Sequence, residues 1–317
     1  MQDTIVVVFL PKSLTFVSWR EGSTTWKVGR LLQTICHKIN LEVDIFPKVE
    51  SSGGISLTTS VGRGDYDLVA TYPHSARWAY DGVFTYAGNK LEGLRAVAFI
   101  DRPSWVVIAL ARDTQLKSLS QVKEQKYPLK VIITGRDSLT GPVDSECFYG
   151  HGLSKNDLVS WGGQVYEIFR DIDHTQVGPF LRDGKADAIA TYGEPILRFW
   201  QEATVWRDLN FVSLEPNVSN AVASKYGVQK GIVEAGTFRG QNNDVSTIAY
   251  PGWVIACHKD FDDSVAHQLA GLLDTNSELL AASSGRFAFN GYSSCKNTGV
   301  PIHPGALRYY KERGYIS

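Results

Sequence analysis

Two short apolar strands that both end on Ala-Thr-Tyr set the strongest limit on how this chain can fold. The first, Leu68-Val69-Ala70-Thr71-Tyr72, follows Gly64 and Asp65 and leads through a polar, aromatic turn to a helix over 76–80 closed by Gly82. The second, Ala188-Ile189-Ala190-Thr191-Tyr192, follows Gly184 and Asp187 and leads to Gly193-Glu194-Pro195. In open α/β sheets small ligands sit outside the carboxyl ends of the strands, where N–H groups at a helix start face the crevice. Thr71, Tyr72, His74 and Ser75 stand at that position in the first element. Two such elements facing each other predict a two-lobed cleft.

The remaining pattern alternates strands and helices throughout, which predicts an α/β fold. Residues 4–10 form a β-branched run of the kind buried on both faces in a parallel sheet. After the loop from Arg20 to Trp26, Val28, Leu31, Leu32, Ile35 and Ile39 recur at helical spacing. Ser23, Thr24 and Thr25 therefore stand at a helix start, where hydroxyls and free N–H groups suit a carboxylate or other anion; plain capping is the competing reading for each. Leu41, Val43 and Ile45 alternate with polar neighbours as in a half-buried strand, Ser51 to Gly54 reads as a turn, and Ile55, Leu57 and Val61 as a short helix. Arg63-Gly64-Asp65 reads as a helix-to-strand turn.

Strands are expected at 94–100 and 105–111. The second, read from Trp105 through Asp113, has a near-copy at Gly252 to Asp260, which suggests paired crossings between two lobes. The strand at 129–134 ends in a polar loop bracketed by Gly135 and Gly141 that carries Ser138 and Thr140 and lacks the Gly-Lys-Ser/Thr of a phosphate loop. Helices are expected at 174–183, at 194–201 with Pro195 in the first turn, at 265–280, and from Pro304 to a stop at Gly314; a further strand is expected at 211–214. The lobes divide as 1–107 with 250–317, and 108–249.

Length and charge narrow the function. A chain of 317 residues can bury one large core or two medium ones. With Lys+Arg 32 against Asp+Glu 33 and no basic run, the surface cannot neutralise many phosphates, which argues against nucleic-acid binding. No apolar stretch is long enough to span a bilayer. No secretory signal is legible at the start, so either the chain is cytosolic or a signal has been removed ahead of Gln2. Cys36, Cys147, Cys257 and Cys295 are far apart in sequence and form no metal-like cluster; Cys36 and Cys257 read as buried small hydrophobes.

The ending Pro301-Ile302-His303-Pro304-Gly305-Ala306-Leu307-Arg308-Tyr309-Tyr310-Lys311-Glu312-Arg313-Gly314 resembles the C-terminal signature of the TAXI family of TRAP-transporter solute-binding proteins. The hydroxyl-rich helix start, the Gly53-Gly54 turn, the Gly-Asp-Tyr-Asp-Leu strand and the Gly-Lys-Ala-Asp-Ala strand occur in the matching order. The resemblance implies a two-lobed, periplasmic-binding-protein-like (type II) fold with two hinge-crossing strands. It further implies a monomer in the periplasm, no cofactor or metal, a small carboxylate-bearing organic acid in the cleft, and the membrane subunits of a TRAP transporter as partner. Carried over by position, the ligand-facing residues are Ser23, Thr24, Thr25, Trp26, Tyr72, His74, Ser138, Thr140, Tyr192 and Glu194. Trp26 and Lys27 stand where the family has paired tyrosines, which leaves the ligand open and suits an aromatic or planar acid.

The alternative is a cytosolic enzyme on the same fold, a decarboxylase, lyase or hydrolase acting on a small organic acid, with His74 and Glu194 as its catalytic groups. No recognised nucleophile or metal motif accompanies them. His303, followed by Pro-Gly, reads as structural.

Overall fold

A computed structural model describes residues 13–48, 54–168, 170–283 and 285–317. Among these, the strands in chain order are β1 (Ser13–Ser18), β2 (Glu42–Pro47), β3 (Leu68–Thr71), β4 (Leu94–Ala111), β5 (Lys130–Thr134), β6 (Gln164–Ile168), β7 (Ala188–Gly193), β8 (Leu209–Phe211), β9 (Gln229–Val233) and β10 (Val245–His258). They form one mixed ten-stranded sheet, organised as two lobes. In the first lobe β2, β1 and β3 run parallel and β3 pairs antiparallel with the end of β10. In the second, β6, β5 and β7 run parallel and β7 pairs antiparallel with the end of β4.

This repetition accounts for both sequence echoes. Thr71 lies opposite Val254 and Thr191 opposite Val107. The two Ala-Thr-Tyr strands thus pair with equivalent positions of the two near-copied runs, Val254-Ile255-Ala256 and Val107-Ile108-Ala109. Each run supplies the antiparallel neighbour of its own lobe's parallel strands.

β4 and β10 also pair with each other and carry the chain between the lobes, with Trp253 opposite Ile100 and Trp105 opposite Ala249. Their register breaks in the middle: Tyr250 faces Ser104 and Gly252 faces Asp101, which leaves Pro251 against Arg102 and Pro103. Neither proline has an N–H to give the ladder. Gly252 is required at this crossing, because a Cβ there would stand 2.2 Å from the Ile100 carbonyl oxygen.

Helices fill the crossovers. The helix Thr24–Cys36 returns from β1 to β2 and buries Val28, Leu31, Leu32 and Ile35. The helix Pro73–Asp81 stops on Gly82, whose φ of +70° is the left-handed conformation glycine adopts without strain. The helix Pro304–Glu312 starts on His303, which is buried and accepts the Gly305 N–H at Nδ1, and it packs against the helix Asp263–Thr275. His303 is structural, as its place before Pro-Gly implies. Among the described residues no helix is long and apolar enough to cross a membrane. All four cysteines are free thiols, with Cys36, Cys147 and Cys257 fully buried.

Several expectations shift. The expected strand at 4–10 and most of the turn at 51–54 lie outside the described residues, and β1 begins at Ser13. The segments 94–100 and 105–111 are one strand, β4. Residues 194–197 are a turn, and the helix begins only at Arg198, because Leu197 holds an extended conformation and stands as its N-cap. The segment 265–280 is broken at Asn276 into two helices, Asp263–Thr275 and Ser277–Ala282. The strand expected at 211–214 lies at Leu209–Phe211.

Candidate ligand-binding site

The carboxyl ends of β1, β3, β5 and β7 converge on a cavity of about 730 Å³ walled by both lobes. Its volume lies in the range of small-molecule sites. From the first lobe come the loop after β1 (Trp19 to Thr25), Lys27, Tyr72 and Trp253. From the second come Ser138, Leu139 and Thr140 after β5, His174 and Thr175 at a helix start, and Tyr192, Leu197, Arg198, Phe199 and Trp206 after β7.

Most hydroxyls expected to face a ligand are engaged by the protein itself. Ser23 caps the helix Thr24–Cys36 by accepting the Trp26 N–H at 3.2 Å, and Thr25 Oγ1 accepts the Trp19 N–H at 3.0 Å. Ser138 Oγ donates to the Gly135 carbonyl at 3.0 Å and accepts the Gly141 N–H at 3.1 Å. Thr140 donates to Asp144 at 2.8 Å. Tyr192 OH and His174 Nε2 are 3.3 Å apart. The wall is therefore mainly aromatic faces and helix-start backbone.

Ser23, Thr24, Thr25, Tyr72, Ser138, Thr140 and Tyr192 all border the cavity; Trp26, His74 and Glu194 do not. Trp26 instead has the Arg30 guanidinium 5.7 Å from its ring centroid. His74 closes a triangle of rings with Tyr72 and Tyr250, whose centroids lie 5.5 and 5.2 Å from its own and 5.2 Å from each other, and its Nε2–H donates to the Leu139 carbonyl at 3.1 Å. Burial lowers its pKa to about 4, so it is neutral at pH 7. Glu194 is buried against Arg102, whose Nε donates to Oε2 at 2.8 Å and whose Nη1 donates to the Gly285 carbonyl at 2.6 Å. This pair ties the crossing strand β4 to the turn after β7.

The sequence reading missed Lys27, Trp19, His174, Phe199 and Trp253. Lys27 had a usable signal: it lies four residues after Ser23 and three after Thr24, and so shares a helix face with both, whereas Trp26 has that spacing only to Ser23. His174 is pushed down to about 4 by burial and by the Arg20 charge, and its ring stacks 5.0 Å from Phe199. Trp253 lies 4.1 Å from Tyr72, centroid to centroid.

Besides the Arg102–Glu194 pair, several contacts join the lobes. Arg20 pairs with Asp173 at 3.1 Å, His74 reaches Leu139, and Trp78 Nε1 donates to the Tyr226 carbonyl at 3.1 Å. Behind the wall, Asp144 is fully buried and accepts from Tyr250 OH at 2.7 Å and from Thr140; burial raises its carboxyl to about 6. Among the described residues no cluster of His, Cys, Asp and Glu could hold a metal ion.

A doubly wound sheet in two lobes, crossed by two strands and enclosing a cavity at its strand ends, is the two-lobed fold of the periplasmic binding proteins. The chain belongs to the NMT1-like family, whose profile matches residues 20–314. Among solved structures it is similar to MatC from Rhodopseudomonas palustris with bound malate, at 13% identity over 96% of this chain and 97% of that one, TM-score 0.51. It is also similar to PhnD1 from Prochlorococcus marinus in complex with methylphosphonate (14% identity, 97% and 100% covered, TM-score 0.50). The periplasmic binding protein BugD matches at 13% identity over 96% of this chain and 93% of that one, TM-score 0.53. At such identities the likeness is one of fold.

Proposed function

We propose that this protein is an extracytoplasmic solute-binding protein that closes its lobes on a small organic acid with an aromatic or planar body. One observation carries the reading: the inter-lobe cavity combines the start of the helix Thr24–Cys36, a lysine and several aromatic faces. Helix-start N–H groups and an ammonium suit a carboxylate, and the rings suit a flat apolar body. Malate and methylphosphonate, held by two proteins of the same fold, are likewise small anions. Delivery to a TRAP-type membrane transporter, as the TAXI resemblance implies, belongs to the same proposal, with lobe 1 formed by 1–107 and 250–317 and lobe 2 by 108–249. The enzyme alternative draws on His74 and Glu194, which are bound to Leu139 and Arg102 and present no group to the cavity.

The test is mass spectrometry of the purified protein, native and then denatured, followed by adding back whatever is released. The expected result is an unchanged organic acid that raises the melting temperature on return. Tyr192→Ala should weaken its binding roughly tenfold or more while the fold survives, since the ring forms part of the wall. Conversion of the molecule with turnover would overturn the binding reading.

A further inference from the structure

Once the hydroxyls are set aside, two donors of the first lobe's wall, on Lys27 and Trp253, have no acceptor among the described residues. The Lys27 ammonium is half-buried, and among the described residues no carboxylate comes within ion-pair distance of it. Burial and the Arg102 charge lower its pKa, and Glu194 acts on it only from a distance. Trp253 is 5% exposed, and its Nε1–H, fully enclosed, finds no acceptor. A buried donor left unpaired costs about 1–3 kcal/mol, so an enclosed N–H beside a cavity points to an acceptor that arrives from outside.

Both donors belong to the first lobe's wall of the cavity. Lys27 stands in the first turn of the helix after β1 and Trp253 on β10; β3 lies between those two strands, and the Trp253 ring packs on Tyr72 at its end. The charges there do not balance. Arg102 and Glu194 cancel as a buried pair, which leaves Lys27 as one uncompensated positive charge. Elsewhere on the wall Arg20 is matched by Asp173 and Arg198 by Glu202, while Glu21 is exposed.

We propose that Lys27, with the Trp253 indole N–H on the same wall, is the residue that sets the ligand's charge, and that the ligand is an aryl monocarboxylate. Its single carboxylate seats on Lys27 Nζ and Trp253 Nε1, and its ring lies against the aromatic wall. A second carboxylate would find the wall's arginines already paired, Arg20 with Asp173 and Arg198 with Glu202, and towards the rings it would meet neutral faces. The cavity of about 730 Å³ also leaves much room around a four-carbon diacid. This inference rests on the ligand-binding reading above.

The experiment is isothermal titration of wild type, Lys27→Gln and Trp253→Phe with cinnamate, 4-hydroxybenzoate and indole-3-acetate, with cinnamamide as the neutral isostere and malate as the diacid. Melting curves confirm that each variant folds. Wild type should bind at least one aryl acid and prefer it to malate. Lys27→Gln should weaken that acid roughly tenfold to a hundredfold, and Trp253→Phe roughly tenfold, with cinnamamide unaffected by Lys27→Gln. Equal acid affinity in wild type and Lys27→Gln would overturn this inference and leave the solute-binding reading standing. Preference for malate over every aryl acid would overturn the ligand class. If none of these probes binds and purified protein carries no releasable solute, the solute-binding reading fails and takes this inference with it.

Discussion

Replacing Asp144 by Asn should make the protein more stable at neutral pH relative to wild type, by an amount that grows as pH rises. In the fold Asp144 titrates near pH 6 because burial penalises its charged form; in an unfolded chain it titrates near the ordinary value of about 3.9. Folding therefore favours the protonated carboxyl. The stabilisation this gives is complete below about pH 3.9 and is lost as pH rises through about 6. A difference of about two units corresponds to about 3 kcal/mol in total, of which about 2 kcal/mol disappears between pH 4.5 and 7.5. Asn is neutral across that range. It keeps a carbonyl that can accept from Tyr250 OH and the Tyr192 N–H, and the Thr140 and Thr134 hydroxyls can turn to accept from the amide, so the partners stay satisfied. The assay is urea denaturation of both proteins at several pH values between 4.5 and 7.5. His74 and His174 titrate in the opposite sense: their lowered pKa values make stability fall as pH drops below about 6.5. Both proteins contain them, so they cancel in the difference. A stability difference constant to within about 1 kcal/mol across the range would show that Asp144 ionises normally in the fold, and the argument from burial would be refuted.

Two further changes test the crossing between the lobes. Glu194→Gln leaves the buried Arg102 guanidinium without its counter-charge and should cost about 3–5 kcal/mol in urea denaturation; a loss below about 1 kcal/mol would mean that Arg102 reaches solvent or another acceptor. Gly252→Ala should lower stability by about 2 kcal/mol or more, since the new Cβ would meet the Ile100 carbonyl at 2.2 Å and the Phe99 ring at 2.8 Å; an unchanged melting temperature would show that the strands part there freely.

Much of the architecture was legible because it repeats. The Ala-Thr-Tyr echo and the Trp-Val-Ile-Ala echo are two halves of one arrangement built twice, and period-two and helical patterns placed most elements between them. Local pattern failed where the cause was not local. Nothing within 94–111 says that two apolar runs are one strand across an Arg-Pro step; that depends on β10 lying alongside. In the site, the hydroxyls at loop ends were legible as polar groups near a crevice, but not the fact that Gly141, Trp26 and Asp144 already hold them. Trp253 was missed because its role depends on a neighbour, Tyr72, brought close only by sheet pairing. Glu194 was misplaced for a similar reason, since its partner Arg102 is distant in the chain.

The mismatch at Pro103 and Pro251 bears on how the molecule bends. Two residues without ladder donors stand at the same level of adjacent strands, with pairing resuming on either side. Mechanically the sheet is then two stiff plates joined by a pair of tethers. Rotation about a line across the tethers disturbs few hydrogen bonds, whereas sliding one tether along the other would break every pair from Leu94 to Asp101 against Gly252 to His258. The compliance is therefore directional: the plates can swing like a book, and they return to the same register each time they shut.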